Sequence, residues 1–490
     1  MSLVVVSYAI NGRGMGHLTR QLAILRWVRR IGLALDQKVE CWVLTSSEAD
    51  TLARREGFCS LKMPSKAMMR DAGIEPARYL RIARGWVLNT MAALAPDLLL
   101  VDTFPGGSFG ELTSTLELAR RRVLVARKVR PEFADQPGYQ ALLPLYQRVI
   151  VPDPSDVGPI LIRGREEVLD RDEARRRLGV SRRTVYVSLG GGGDASAPSV
   201  LPRLVRQLSQ SWDVVVGAGP LYDGAELRGP GVTWMDRYVP VELFSGLDAA
   251  VSAGGYNSFH ELMHLGVPTV FLPQPRIADD QLLRAQQAVR AGAGRLARSV
   301  AEVAELLEQP GSAQAARDLV PVNGAKAAAL AALEGLLPPQ DLAHADTLLD
   351  AEFVQVLDRA GLELVQLLGG ARPATEFLTL CERVDAGEAG LPLLRSLARK
   401  FPAATPEERI AAAETLFTQW SRFDDWMGAV SLLRAVPTQR SYPLAHFARD
   451  MGAWLEGQED LFDALREFTQ LEGHGKQPVA AVLHQLRQGP

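Results

Sequence analysis

Cysteine is scarce. The chain has three in 490 residues, Cys41, Cys59 and Cys381, and no two lie at CxxC spacing, so neither a disulfide framework nor a thiolate zinc site is supported. Two of the seven histidines, His260 and His264, stand at HExxH spacing around Glu261, a pattern that marks a zinc site only with a third ligand in place. No apolar run approaches the roughly 20 residues of a membrane-spanning helix. Neither sign of charge dominates: 54 basic against 57 acidic residues leave −3, so any basic patch must be local and nucleic acid is not an expected partner. The opening MSLVVVSYAI has no basic segment or small-residue cleavage site, and reads as a strand rather than a signal peptide. The expected compartment is the cytoplasm.

What is present is an alternation of short β-branched runs with helical stretches. The spacing predicts strands at Leu3–Ile10, Val39–Thr45, Ser60–Met63, Asp97–Val101, Val123–Ala126 and Arg148–Val151. A second series follows at Thr184–Ser188, Asp213–Val216, Val232–Trp234, Ala249–Ser252 and Thr269–Leu272. Continuous apolar strands bounded by Gly, Pro and Asp are buried on both faces, as in parallel sheets covered by helices. Two such series predict an α/β fold of two doubly wound, Rossmann-like domains, at 1–155 and 156–338. The proline-rich PDPSDVGP and the charged stretch after it mark the connection. From 339 to 490 strand signals vanish and amphipathic helical stretches succeed one another, which predicts an α-helical appendage. Thr405-Pro406-Glu407-Glu408 gives it one clear helix start.

The first expected strand runs into Asn11-Gly12-Arg13-Gly14-Met15-Gly16-His17. Glycines at a strand-to-helix turn let a ligand approach the backbone and its unpaired amides. A dinucleotide site would need a carboxylate at the tip of strand two, where this chain has Leu44-Thr45-Ser46-Ser47. A kinase-type phosphate loop fails for want of Gly-Lys-Ser/Thr. His17 sits where α/β sheets hold ligands and would serve as a general base, with Asp102 at the end of DLLLVD as the group that orients it. The competing readings are a histidine packed on its own helix and an aspartate capping the next turn.

A second cluster, Gly190-Gly191-Gly192 within SLGGGGD, offers another concave set of amides. The most informative stretch is AGGYNSFHELMHLGVPTVFLPQPRIADDQ. There Gly254 and Gly255 lead into a helix starting near Asn257 and Ser258, placed to hold a diphosphate. Glu261, one turn on, is placed to accept from two ribose hydroxyls. Asp280 and Gln281 follow the next strand, with carboxylate and amide groups suited to sugar hydroxyls. Each of these polar residues has capping or solvation as its bland alternative. Finally, Lys62–Thr90 mixes Lys62, Lys66, Arg70, Arg78, Arg81 and Arg84 with Met63, Met68, Met69, Tyr79, Ile82 and Trp86. That suits a helix on an anionic membrane, or an ordinary helix covering the sheet with a solvated basic face.

On these motifs the chain resembles two-domain GT-B glycosyltransferases, and is similar to the lipid II-forming N-acetylglucosaminyltransferase family and related bacterial glycosyltransferases. The resemblance covers about residues 1–338. It implies inverting, metal-independent transfer from a nucleotide-sugar, most often a UDP-sugar, to an acceptor hydroxyl, with no cofactor. The donor would lie on Gly14, Gly16, Gly190–Gly192, Gly254, Gly255, Asn257, Ser258, Glu261, Asp280 and Gln281, with His17 and Asp102 catalytic. The acceptor itself stays open: the Lys62–Thr90 segment would suit peripheral attachment at the inner membrane face and a lipid-linked acceptor, and the helical tail, outside the resemblance, would bind a protein partner or self-associate. Two departures stand out. Ala253 replaces a His or Arg that meets a phosphate, so that a cation would come from elsewhere, for example Arg13 or Arg237. Arg20 replaces a proline, and Gly-His-x-x-Arg also resembles a UDP-sugar hydrolase of the same fold. A catalytically silent nucleotide-sugar-binding scaffold is the third reading.

Overall fold

The computed structural model describes residues 2–10, 15–35, 37–127, 135–190, 197–219, 222–235, 240–274 and 280–349. Contacts divide the chain into a first unit, Met1–Arg29 with Val39–Pro339, and a second that takes Arg30–Lys38 and the residues from Gln340 on. Both sheets lie in the first unit.

The first lobe alternates β1 (Leu3–Ala9), α1 (Gly16–Ala34), β2 (Val39–Thr45), α2 (Thr51–Arg55), β3 (Cys59–Lys62), α3 (Lys66–Asp71) and α4 (Pro76–Leu94). It continues with β4 (Leu98–Asp102), β5 (Arg121–Val125), α5 (Pro137–Gln140) and β6 (Arg148–Ile150). The strands form one parallel sheet in the order β3-β2-β1-β4-β5-β6. Every residue of β4 is buried, and Val6, Tyr8, Leu99, Val101 and Leu124 share a core with Val87 and Met91 of α4. Each fully buried Leu or Val contributes roughly 1.5–3 kcal/mol by leaving water, which is why the apolar runs become central strands.

The second lobe repeats the plan. It holds α6 (Arg171–Leu178), β7 (Thr184–Ser188), α7 (Ala197–Leu208), β8 (Asp213–Gly217), β9 (Val232–Met235), β10 (Ala249–Ser252) and α8 (Tyr256–Leu265). Then come β11 (Thr269–Phe271), α9 (Gln281–Arg290), β12 (Gly294–Leu296), α10 (Val300–Leu306) and α11 (Ala313–Leu319), after which α12 (Ala325–Leu333) returns to pack on β4 and β6 of the first lobe, where Arg121 of β5 donates to the Ala331 and Ala332 carbonyls. Its parallel sheet has the order β12-β11-β10-β7-β8-β9. Two hydrophobic clusters cover its faces. The sequence pattern omitted β12: its three residues, Gly-Arg-Leu, carry a single apolar side chain.

Strand order reverses beside β1 in the first lobe and beside β7 in the second. Open α/β sheets hold ligands at the carboxyl ends of the strands flanking such a reversal. The strands there are β1 with β4, and β7 with β10.

In the second unit, α13 (Pro339–Leu348) opens the region expected to be a helical appendage. The rest of that expectation, including the helix start at Thr405, lies outside the described residues. Among the described residues no helix is long and apolar enough to cross a membrane.

Candidate functional site

The first lobe brings His17 and Asp102 together across 85 positions. His17 is the second residue of α1, and Asp102 is the last of β4, the strand paired with β1. His17 Nδ1 lies 2.5 Å from Asp102 Oδ1. A carboxylate only accepts, so Nδ1 donates and Nε2 is the nitrogen suited to take a proton. The ring of Phe104 lies beside the imidazole, 5.7 Å between centroids.

Asp102 is buried and fully engaged. Its Oδ2 accepts from Arg20 Nε at 2.8 Å, and its Oδ1 accepts from Arg20 Nη2 at 2.7 Å and from Thr103 Oγ1 at 2.7 Å. Burial alone would raise the pKa of this carboxyl, but the Arg20 and His17 charges outweigh it and hold the group well below the ordinary carboxylate range. Thr103 takes φ +64°, a left-handed conformation that costs a threonine about 1–2 kcal/mol. Arg20 was legible in the sequence only as a departure from relatives. The usable signal was its spacing, three residues past His17 on one helical face.

In the second lobe, β10 ends at Ser252, and Gly254, at φ +79°, turns the chain into α8. The N–H of Gly254 donates to Ser252 Oγ at 3.1 Å. Gly255 is the N-cap of α8, so the amides of the first helical turn have no partner within the helix and point out of its positive end. The Asn257 Nδ2 donates to the Gly16 carbonyl at 3.3 Å, while its buried Oδ1 has no partner among the described residues. No protein group bonds the Ser258 hydroxyl among the described residues. Gly190 follows β7 at φ +99°. Gly14, Gly191, Gly192, Arg13 and Arg237 lie outside the described residues.

Glu261 is 8% exposed, and among the described residues no hydrogen-bond partner faces its carboxyl. Burial pushes its pKa up to about 7, against a smaller lowering by the Arg163 charge. Such a carboxyl is poised to accept from a ligand.

Asp280 and Gln281 each engage one side-chain oxygen within the protein. Asp280 caps α9, its Oδ1 accepting from the Leu283 N–H at 3.0 Å. Gln281 is buried and its Oε1 accepts from the Gln274 N–H at 2.9 Å, which leaves its Nε2 without a protein partner among the described residues. The first turn of α9 also supplies Arg284, whose Nε donates to the Gly254 carbonyl at 2.9 Å. Ala253 is buried and apolar, so Arg284 is a cation at that glycine turn. Nothing in the sequence pattern marked it.

The two lobes touch at these ends. Besides the Asn257–Gly16 bond, the Tyr256 hydroxyl donates to the Pro152 carbonyl, and Arg20 and Arg127 lie 5.6 and 5.9 Å from the Tyr256 ring centroid. A buried ionic cluster stands at the connection. Glu56 of the first lobe accepts from Arg26 at 2.7 Å and twice from Arg163 at 3.0 Å. Arg26 also pairs with Glu167, and Arg163 with Glu242 at 3.7 Å.

The basic segment splits. Met63, Met69, Tyr79 and Ala83 pack into a small cluster, as a covering helix requires. Met68, Ile82 and Leu88 are 47%, 52% and 46% exposed, on the surface that carries Arg70, Arg78, Arg81 and Arg84.

Residues 236–332 match the family model described as Glycosyltransferase family 28 C-terminal domain. The chain is 27% identical over 163 residues to a UDP-N-acetylglucosamine–N-acetylmuramyl-(pentapeptide) pyrophosphoryl-undecaprenol N-acetylglucosamine transferase of Aquifex aeolicus, covering 31% of this chain and 46% of that protein. It is 29% identical over 143 residues to an uncharacterized glycosyltransferase of Methanopyrus kandleri, covering 28% and 40%. These matches span less than half the length of either relative. The crystal structure of MurG from Acinetobacter baumannii aligns over 71% of this chain and 99% of that one, at 15% identity and a TM-score of 0.40. In its motifs, its matched segment and its pair of parallel α/β lobes, the chain is similar to GT-B glycosyltransferases of the MurG kind.

Proposed function

We propose that the protein is an inverting glycosyltransferase that uses a nucleotide-diphosphate sugar, a UDP-sugar by its relatives' example, and does so without a metal. One observation carries the reading. A histidine–aspartate pair at the strand reversal of one lobe meets, through the Gly16–Asn257 contact, the open N-terminus of α8 in the other, with an unpartnered buried carboxyl one turn behind.

The donor's diphosphate lies against the first-turn amides of α8, with Asn257, Ser258 and Arg284 around it, and Glu261 accepts from the ribose hydroxyls. The sugar extends toward His17. His17 Nε2 takes the proton of the acceptor hydroxyl as its oxygen bonds to the anomeric carbon. The bond from that carbon to the phosphate oxygen breaks, and its electron pair leaves with the diphosphate. Developing charge there is met by amides and a guanidinium fixed in advance, the kind of stabilisation that lowers barriers most. Asp102 holds the imidazole in the tautomer that leaves Nε2 basic. Because the helices already meet, domain closure has less distance to cover than two separate lobes would need.

The exposed Met68, Ile82 and Leu88 among arginines support peripheral attachment to an anionic membrane and a lipid-linked acceptor. The test of the core reading is a thermal-shift panel of UDP, GDP, dTDP, CMP and their sugars, followed by assay of nucleotide release with and without polyprenyl-phosphate acceptors. A fitting ligand raises stability by mass action. Release in water alone at the full rate would favour the hydrolase. Binding without turnover on any acceptor would favour the silent scaffold. No stabilisation by any member would refute all three.

A further inference from the structure

Arg20 is 1% exposed. Removing a guanidinium from water costs several kcal/mol unless its hydrogen bonds are replaced with good geometry. Here they are replaced by a single carboxylate, through the parallel two-bond pairing that only arginine makes. The same guanidinium lies over the ring of Tyr256, the first residue of α8, with its Cζ 5.6 Å from the ring centroid. One side chain therefore touches the carboxylate that orients His17 and the helix whose N-terminus opens toward the donor. With Arg20 in place, rotating the Asp102 carboxylate breaks two parallel bonds, so the His17 ring facing Oδ1 has one orientation.

We propose that Arg20 is a positioning residue for transfer: it locks Asp102, and through it His17, in register with helix α8 of the opposite lobe. The inference rests on the transferase reading above. Arg20 does not reach the reacting atoms; it acts through Asp102 on one side and Tyr256 on the other. The competing account is a buried ion pair that holds the fold and nothing more.

The experiment uses the full chain and the sugar nucleotide that the panel identifies, with initial rates of nucleotide release. Arg20→Ala should lower kcat about 100-fold, the cost of misplacing a catalytic group by about 1 Å, while the donor KM stays within about threefold. Millimolar guanidinium should restore part of the lost rate. Arg20→Lys should recover less than added guanidinium does, because a point charge cannot make the paired contact. Tyr256→Leu, which removes the ring and leaves the ion pair, should lower kcat in the same sense. A kcat for Arg20→Ala within threefold of wild type would overturn the proposal. So would a loss of kcat matched by an equal rise in KM and not relieved by guanidinium. Should Arg20→Ala fail to fold, Tyr256→Leu decides, and an unchanged kcat there overturns it. Failure of the wild type to release nucleotide from any sugar would sink the transferase reading itself, a result distinct from wild-type turnover that survives in Arg20→Ala.

Discussion

Glu261 offers the sharpest quantitative test, because it is the place where the site works against the fold. Its pKa is about 7 in the folded protein against an ordinary 4.5. At about 1.36 kcal/mol per unit, that gap is about 3 kcal/mol of differential stability. The folded pKa is the raised one, so the favourable contribution is complete below the unfolded value of 4.5 and is lost as pH rises through 7. Above pH 7 the fold carries a buried carboxylate that no hydrogen bond among the described residues offsets. Glu261→Gln replaces it with a neutral side chain of the same shape. The substitution should leave stability unchanged near pH 4.5 and raise it at pH 8 by up to about 3 kcal/mol, measured by urea denaturation at the two pH values. Ligand binding should move the opposite way. If ribose hydroxyls return the carboxyl to its ordinary range, wild-type affinity for uridine should rise about 70-fold between pH 5 and pH 8. Uridine is the better probe because it carries no phosphate to titrate in that window. For Glu261→Gln the affinity should be flat and at pH 8 at least about tenfold weaker, since hydrogen bonds to a charged group are worth about 1.5–3 kcal/mol. Equal stability of the two proteins at pH 8, or a uridine affinity in the wild type that ignores pH, would refute the placement of Glu261 as a buried acceptor for the donor.

Four further outcomes are expected. His17→Ala should lower turnover by about 10²–10⁴ with little change in donor affinity, as loss of a general base does; unchanged turnover would remove His17 from the chemistry. Arg284→Gln should weaken UDP binding by about tenfold and leave uridine binding unaltered, the loss of one charge-assisted bond to phosphate; calorimetric titration of both ligands separates this from a general disturbance of the site. Gly254→Ala should destabilise the second lobe by about 1–2 kcal/mol, since φ +79° is left-handed and the new methyl would meet the Phe271 ring at 3.3 Å; thermal melting measures it. Arg78→Glu with Arg81→Glu should reduce co-sedimentation with phosphatidylglycerol vesicles, as should raised salt, at about 1 kcal/mol per basic residue near the surface; binding that is indifferent to both would remove these arginines from membrane attachment.

The strands were legible because a parallel sheet buried on both faces writes an uninterrupted apolar run into the chain. β2 (VECWVLT), β7 (TVYVS) and β10 (AAVS) have the expected bounds, and the other expected strands differ by one or two residues at one or both ends. β12 escaped because an edge strand of Gly-Arg-Leu lacks that run. The meeting of His17 with Asp102 was legible for a topological reason: both follow strands that flank the reversal in sheet order, and such ends converge in any doubly wound lobe. Asp280 shows where the same logic stops. An aspartate before a helix is chemically suited both to a sugar hydroxyl and to the helix's own amides, and spacing does not separate the two. In this structure the Leu283 amide takes one of its two carboxylate oxygens.

Long cationic side chains were the least legible, because their partners are fixed by the fold and not by local spacing. Arg163 meets Glu56 across 107 positions, Arg26 meets Glu167 across 141, and Arg20 meets Asp102 across 82. Arg26 and Arg163 read in the sequence as two more solvated charges among 54 basic residues, and Arg20 only as a departure from relatives. Burial changes their meaning: a guanidinium at the core must be paired nearly completely, so each buried arginine fixes the position of the carboxylates around it. The clustering of such pairs follows from this. Those at the connection set how the two lobes abut, and the one at Asp102 sets where the imidazole of His17 points. In both places rigidity is built from charge and not from apolar packing. That suits a crevice which must stay open to a polyanionic, hydroxyl-rich ligand, because an apolar wall could not supply the hydrogen bonds such a ligand loses on leaving water.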